Sequence, residues 1–179
     1  MTLRTALLPV LLVALCFGDA DARGRRSGGK RYVANGTFGA GLELGGPTGL
    51  NGKYFLSDTG ALNFGIGVDG YAYRYHGRDG LHLYFDYLFH PVALASNETL
   101  QLPLYIGIGA RIWSFDEDRY RDNILAFGIR VPFGIAFDFN NVPLDIFIQL
   151  TPVLDFYRDY DRNAGFWFDF SAGIRYWFK

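Results

Sequence analysis

The feature that most constrains this chain is a two-residue alternation of apolar and non-apolar side chains that recurs along most of its length. Successive side chains of a strand point to opposite faces, so this period specifies β-strands, whereas amphipathic helices repeat every 3.6 residues. In residues 100–112 the even positions are Leu100, Leu102, Leu104, Ile106, Ile108, Ala110 and Ile112, with Gln101, Pro103, Tyr105, Gly107, Gly109 and Arg111 between them. Residues 125–139 place Leu125, Phe127, Ile129, Val131, Phe133, Ile135, Phe137 and Phe139 on one face. In 144–156 the even face is apolar, and Asp145, Gln149, Thr151 and Asp155 lie opposite. Residues 166–178 set Phe166, Phe168, Phe170, Ala172, Ile174, Tyr176 and Phe178 against Trp167, Asp169, Ser171, Gly173, Arg175 and Trp177. Residues 81–89 alternate as well, with His82, Tyr84, Asp86 and Leu88 on the second face. Leu62, Phe64, Ile66 and Val68 share one parity and Tyr71, Tyr73 and Tyr75 the other, which a β-bulge near Asp69 and Gly70 reconciles. Phe38, Ala40, Leu42 and Leu44 make a first strand, and Leu50, Tyr54 and Leu56 a short second one.

About eight strands follow, the smallest even number that closes an outer-membrane barrel. The expected fold class is all-β: an eight-stranded antiparallel up-and-down transmembrane β-barrel preceded by a cleaved signal peptide. Connections at 57–60, 96–99 and 140–143 are short turns, while those at 76–80, 115–123 and 157–163 are longer and charged. Short periplasmic turns with longer outer loops are the expected asymmetry. Residues 45–49 would make an unusually tight outer loop.

The N-terminus reads as an export signal. Arg4 supplies the positive region, 5–17 is apolar and interrupted only by Pro9, and Ala20-Asp21-Ala22 is an A-x-A cleavage site. The apolar run is shorter than the roughly 20 residues a spanning helix needs. The expected organisation is a signal peptide over 1–22, a flexible basic segment over 23–35 and a barrel over 36–179. The single cysteine, Cys16, lies in the leader, so the mature chain has neither a disulfide nor thiol chemistry. A net charge of −1 and a pI near 6.3 give no electrostatic footprint for nucleic acid.

Alternation alone does not say which face is inside. A lipocalin-like soluble barrel would turn its apolar face inward. Here the non-apolar face is rich in glycine (Gly39, Gly41, Gly65, Gly67, Gly107, Gly109, Gly128, Gly134 and Gly173). Glycine weakens a strand and gains nothing on a solvated surface, but it suits the crowded interior of an eight-stranded barrel. The bulky apolar face therefore points to lipid, where closure satisfies every backbone N–H and C=O. Glu43, Lys53, Asp86, Arg111, Arg130, Asp169 and Arg175 then project inward. Because an unpaired buried charge costs several kcal/mol, they are expected to pair into a salt-bridge network that plugs the lumen. The alternative is a polar path for protons or ions.

Catalytic chemistry has little support. His82 and His90 share a face with Asp86, but Asp86 and His90 lie about 13 Å apart along a strand, and Ser114 belongs near the other end of the barrel. No nucleophile elbow, metal spacing or phosphate loop is present in the sequence. The expectation is a non-enzyme with no catalytic, metal or cofactor site. Pro103, Pro132 and Pro152 interrupt good strand sequence, and are expected to mark bends rather than a lateral gap.

The last strand carries the sharpest motif. Ser171, Gly173, Tyr176 and Phe178 match the outer-membrane assembly signal (polar, any, Gly, two of any, aromatic, any, aromatic), with Lys179 as an added terminal residue. That resemblance implies recognition by the barrel-assembly machinery. Residues 45–54 (GGPTGLNGKY), 82–87 (HLYFDY), 102–105 (LPLY), 129–134 (IRVPFG), 143–145 (PLD) and 152–155 (PVLD) extend it. With them the chain resembles small eight-stranded outer-membrane barrels of the OmpA/OmpX-like class. It looks closest to uncharacterised bacterial barrels related to a spirochaete family of unknown function. The resemblance implies fold and location and no activity. The expected protein is a monomeric barrel of the bacterial outer membrane with a structural or surface-interaction role. Its charged outer loops would meet lipopolysaccharide, ions or another protein. A narrow pore or transporter for a small or apolar solute is the second reading, and a lipid-modifying enzyme the third.

Overall fold

The computed structural model describes residues 32–68, 80–116, 123–157 and 164–178. Within them lie nine strands: β1 (Phe38–Gly45), β2 (Thr48–Phe55), β3 (Gly60–Val68), β4 (Leu81–Ser96), β5 (Leu100–Asp116), β6 (Asn123–Arg130), β7 (Phe133–Phe139), β8 (Leu144–Tyr157) and β9 (Ala164–Phe178). All pairings are antiparallel. β1 pairs with both β2 and β9, and the ladder continues through β3, β4 and β5, so the sheet returns to its start as a closed ring. Closure leaves no open sheet edge, which is the condition an apolar exterior needs.

The ninth strand is a correction to the expected eight, and Pro132 is its cause. β5 pairs with β6 through Gly109↔Arg130 and with β7 through Ile106↔Phe133, three residues on along both strands. β8 does the same through Val153↔Arg130 and Leu150↔Phe133. The register therefore passes through the break unshifted, and β6 and β7 are two halves of one stave. Val131 N–H still donates to Pro152 O at 3.0 Å and Gly107 N–H to Pro132 O at 2.8 Å. The donors missing from the ladder here are those of the two prolines, Pro132 opposite Gly107 and Pro152 opposite Val131. Pro103 and Pro152 lie inside β5 and β8. Pro103, paired with Ala93, stands between two irregularities: β4 carries an extra residue against β5 between Phe89 and Val92, and a second between Ala93 and Ser96.

The stagger of the ring can be read from the register. A path straight across the strands from Phe38 runs through Tyr54, Leu62, Tyr87, Ile108, Val131 and Pro152 to Phe168. Phe168 lies ten residues from Phe178, the partner of Phe38 on its other side. Ten residues over eight staves correspond to a tilt of roughly 40° at ordinary strand spacings. That geometry leaves an interior just wide enough for side chains to fill.

The tight 45–49 connection is a two-residue turn, Gly46-Pro47, and β2 begins at Thr48 rather than Leu50. Gly45 has φ of 125°, a conformation that favours glycine. Its N–H donates to Thr48 Oγ1 at 3.0 Å. The expected signal peptide with Ala20 and Ala22, the bulge at Asp69 and Gly70, and Lys179 lie outside the described residues. So do 76–79, 117–122 and 158–163, the centres of the three expected long loops.

Candidate functional site

The interior is where the chemistry of this chain collects. Every charged strand residue whose side chain is described is buried to 2% relative exposure or less. The outward positions are apolar, among them Phe85 at 54%, Ile108 at 62% and Phe168 at 61%. This inverts the pattern of a water-soluble protein.

The interior is built from the wall inward in layers. Four large rings lie over glycines directly across the ladder: Trp177 over Gly39, Tyr84 over Gly65, Tyr105 over Gly134 and Phe147 over Gly173. A Cβ at Gly39 would stand 2.8 Å from the Trp177 ring, and one at Gly65 or Gly173 would stand 2.5 Å from the Tyr84 or Phe147 ring. The missing side chains are what let these rings lie flat against the sheet. Cations then lie over rings. The Arg130 guanidinium carbon is 4.0 Å from the Tyr84 centroid, and that of Arg175 is 4.1 Å from Phe147. Lys53 Nζ is 5.0 Å from both Phe55 and Tyr105. Desolvated contacts of this kind favour the charged head group.

Carboxylates complete the Arg130 and Arg175 clusters and a third, in which the Arg111 guanidinium carbon lies 5.4 Å from the Trp113 ring centroid. Toward the long-connection end, Arg111 is forked: Nη2 donates to Asp155 Oδ2 at 2.5 Å, Nε to Asp155 Oδ1 at 2.9 Å, and Nη1 to Asp169 Oδ2 at 2.5 Å. This is the bidentate arrangement for which arginine is suited. Arg130 Nε is 3.1 Å from Asp86 Oδ1, and its Nη1 is 3.4 Å from His82 Nε2. Arg175 Nε donates to Asp145 Oδ1 at 2.9 Å, and its Nη1 reaches Asn51 and Asn63 at 3.1 and 3.2 Å.

The seven residues expected to project inward thus lie inside, but they do not all pair with one another. Arg111–Asp169 and Arg130–Asp86 join two members each, while Arg175 takes Asp145 and Arg111 also takes Asp155. Both aspartates stand on the polar parity of 144–156, and that alternation was the available signal for them. Glu43 and Lys53 are corrections, since neither forms an ion pair among the described residues. Glu43 accepts from Tyr84 O–H at 2.5 Å and from Asn51 Nδ2 at 3.4 Å. Their register explains this: Glu43 faces Gly49 and Gly173, and Lys53 faces Gly39 and Asn63, so no opposite charge stands across the ladder from either.

Lys53 Nζ instead lies 2.8 Å from His90 Nε2. His90 Nδ1 is 3.1 Å from the Thr59 carbonyl, an acceptor, so Nδ1 carries the proton and Nε2 accepts from the lysine. His90 is thereby committed to Lys53. His82 sits beside Arg130, and Ser114 pairs near the opposite end of the ring from His90, so Ser114 and His90 are not brought together.

The chain segment before β1 holds a feature that alternation did not reveal. The segment 23–35 was expected to be flexible, yet its last residues are packed across the mouth at the turn end. Tyr32 is 2% exposed, its hydroxyl donates to Asp138 Oδ2 at 2.9 Å, and its ring lies 5.4 Å from His90 and 5.8 Å from Phe55. Burial, and then the Asp138 charge, push the Tyr32 phenol well above its ordinary range and keep it neutral. Gln101 Nε2 donates to Val33 O at 3.1 Å, Asn35 Nδ2 to Asn140 Oδ1 at 3.0 Å, and Phe55 N–H to Thr37 O at 2.8 Å. A buried aromatic anchor has no periodicity outside a strand, so nothing in the local pattern marks it.

In the motif of the last strand, Ser171 is buried and Gly173 lies under Phe147, while Tyr176 and Phe178 stand outward at 49% and 50% exposure. No group of three or more His, Cys, Asp or Glu able to hold a metal occurs among the described residues.

No curated protein matches the chain. Among solved structures, the N-terminal β-barrel domain of OprF from Pseudomonas aeruginosa is similar at 13% sequence identity and a TM-score of 0.49, over 78% of this chain and 93% of that one. The fold assignment rests on the closed ladder itself. A family described as "Protein of unknown function (DUF3996)" matches residues 30–178, nearly the whole of the ring and the segment that crosses its mouth, and the chain belongs to that family.

Proposed function

We propose that this chain is an integral β-barrel of a bacterial outer membrane, exported by its signal peptide, with a structural or surface-interaction role and a lumen closed by its own side chains. The observation that carries the reading is the inversion of polarity: an exterior belt of Phe, Leu and Ile around an interior that holds every described strand charge. In water such an exterior would drive association, whereas in hydrocarbon it is the required surface. Aromatic side chains gather near both rims, with Phe38, Tyr54, Tyr176 and Phe178 at the turn end and Phe156, Phe166 and Phe168 at the other. Such girdles suit the two interfaces of a bilayer.

The Arg111 fork, the Arg130 and Arg175 pairs and the mouth segment favour a plugged lumen over a conduit. The reading is non-enzymatic, with His90 held by Lys53 and His82 beside Arg130. Outer-membrane lipid and lipopolysaccharide would surround the belt, and the barrel-assembly machinery would read Ser171, Gly173, Tyr176 and Phe178. The test is gel mobility of the detergent-purified protein with and without boiling. The unboiled protein should run as a compact form that shifts on heating. Absence of a shift together with solubility in plain buffer would overturn the membrane reading. Planar-bilayer recordings check the plug: no steady unitary conductance is expected, and a stable open channel would favour the pore.

A further inference from the structure

We propose that the turn-end mouth is a covered binding site for a small aromatic carboxylate, with Lys53 supplying the positive charge and the segment 32–37 acting as a lid whose Tyr32 ring occupies the ligand's place.

Three independent observations lead there. The first is the state of Lys53. The residue is 1% exposed, and among the described residues its ammonium has no carboxylate partner, being held by His90 Nε2 and the faces of Phe55 and Tyr105. A buried cation without a counter-ion is costly to keep, and a ligand anion is the natural completion of such a site. The second is a pair of spare donors on the adjoining wall. Trp177 Nε1 and Arg175 Nη2 are buried and have no hydrogen-bond partner. Trp177 stands in the same ladder row as Lys53, separated from it only by Gly39, so no side chain of β1 comes between them. The third is the lid itself. A flat ring already packs against both His90 and Phe55, whose own rings are 5.1 Å apart, and that is the space a ligand ring would fill. Tyr32 donates its hydroxyl to Asp138 Oδ2, and a phenolic ligand in the same space would repeat that bond.

The lid can leave without the ring coming apart. Among the described residues it is fastened by one buried side chain and a few hydrogen bonds, and Val33 beside Tyr32 is 55% exposed. Each stave, by contrast, has two ladders. Segments held by few buried contacts open well before the global structure does. The Arg111 fork lies toward the opposite end of the lumen and is untouched by this motion, so the opened mouth is a pocket rather than a channel.

The test uses calorimetric titration of the detergent-purified protein with 4-hydroxybenzoate, and with uncharged 4-hydroxybenzyl alcohol for comparison. Removing the lid ring by Tyr32→Ala should raise the affinity for 4-hydroxybenzoate at least tenfold over the unmodified protein. Adding Lys53→Met should abolish that binding, and the alcohol should not compete. Absence of saturable binding to Tyr32→Ala, binding undiminished by Lys53→Met, or equal binding of the alcohol would each overturn the site. Gel mobility without boiling checks that each variant keeps its closed ring. Should Tyr32→Ala lose it, Asn35→Ala with Gln101→Ala cuts the lid's outer bonds while leaving the socket intact. That pair must then show the raised affinity, or the proposal fails. Gel mobility of the unmodified protein tests the barrel reading separately, so the two ideas fail independently.

Discussion

At the scale of single residues, this chain is organised by what stands across the ladder from each glycine. Tyr84, Tyr105, Phe147 and Trp177 each need a glycine opposite, and three of the four then support a cation. Substituting Gly65→Val should displace the Tyr84 ring and destabilise the protein by about 1–3 kcal/mol, the usual cost of overfilling a packed interior. Urea unfolding in detergent or lipid vesicles measures it, and a neutral result would mean that the ring is free to move. Arg111 should be more sensitive. Arg111→Leu removes the guanidinium that Asp155 and Asp169 share and should cost about 3–5 kcal/mol. Arg175→Met combined with Asp145→Leu removes both partners of one pair, and should cost much less than Arg175→Met alone. A double-mutant cycle that shows simple additivity would deny the coupling.

At the scale of elements, the informative one is the stave broken at Pro132. β6 and β7 keep one register against both neighbours, so the interruption is chemical rather than topological. Gly107 donates to Pro132 O, but proline has no N–H to return the bond to Gly107. Pro132→Ala should supply that donor and join the two strands. The check is hydrogen exchange: the new amide at 132 should be as protected as its neighbours in β6 and β7. Rapid exchange there would mean that the stave bends away from β5 at this point. β9 bears a different demand, since it both closes the ring against β1 and presents Tyr176 and Phe178 outward. Phe178→Ala is expected to lower the yield of assembled protein in the membrane more than it lowers the stability of protein already assembled. Comparing membrane-fraction yield with the urea midpoint of the purified variant separates the two.

At the scale of the whole molecule, the decisive property is which solvent meets which face. Phe85 stands on the outer face in a row with Phe64 and Ala110, away from both rims. Phe85→Arg should cost about 2–4 kcal/mol if that row lies near the bilayer centre. A surface substitution in water would fall within about 0.5 kcal/mol, so the urea midpoint in lipid vesicles discriminates between the two media.

How much of this was legible from sequence follows from the same division of scales. The two-residue period carries strand identity and facing, because pleating forces neighbours to opposite sides. It therefore contained the inward positions of Glu43, Lys53, Asp86, Arg111, Arg130, Asp169 and Arg175, and equally those of Asp145 and Asp155. It also placed glycine on the crowded face. It did not contain the partners. Whether Arg175 meets Asp145, or Lys53 meets a histidine instead of an acid, depends on the ten-residue stagger by which the ring closes. That offset is set by the summed register of all the staves and is written in no local segment. Nor could any period announce Tyr32, which lies outside the strands and is anchored only because the closed ring brings His90, Phe55 and Asp138 together at one mouth. The sequence by itself determined the strands and the face each side chain takes. The tertiary structure alone decided the pairing, because charges separated by scores of residues meet only once the ring has closed.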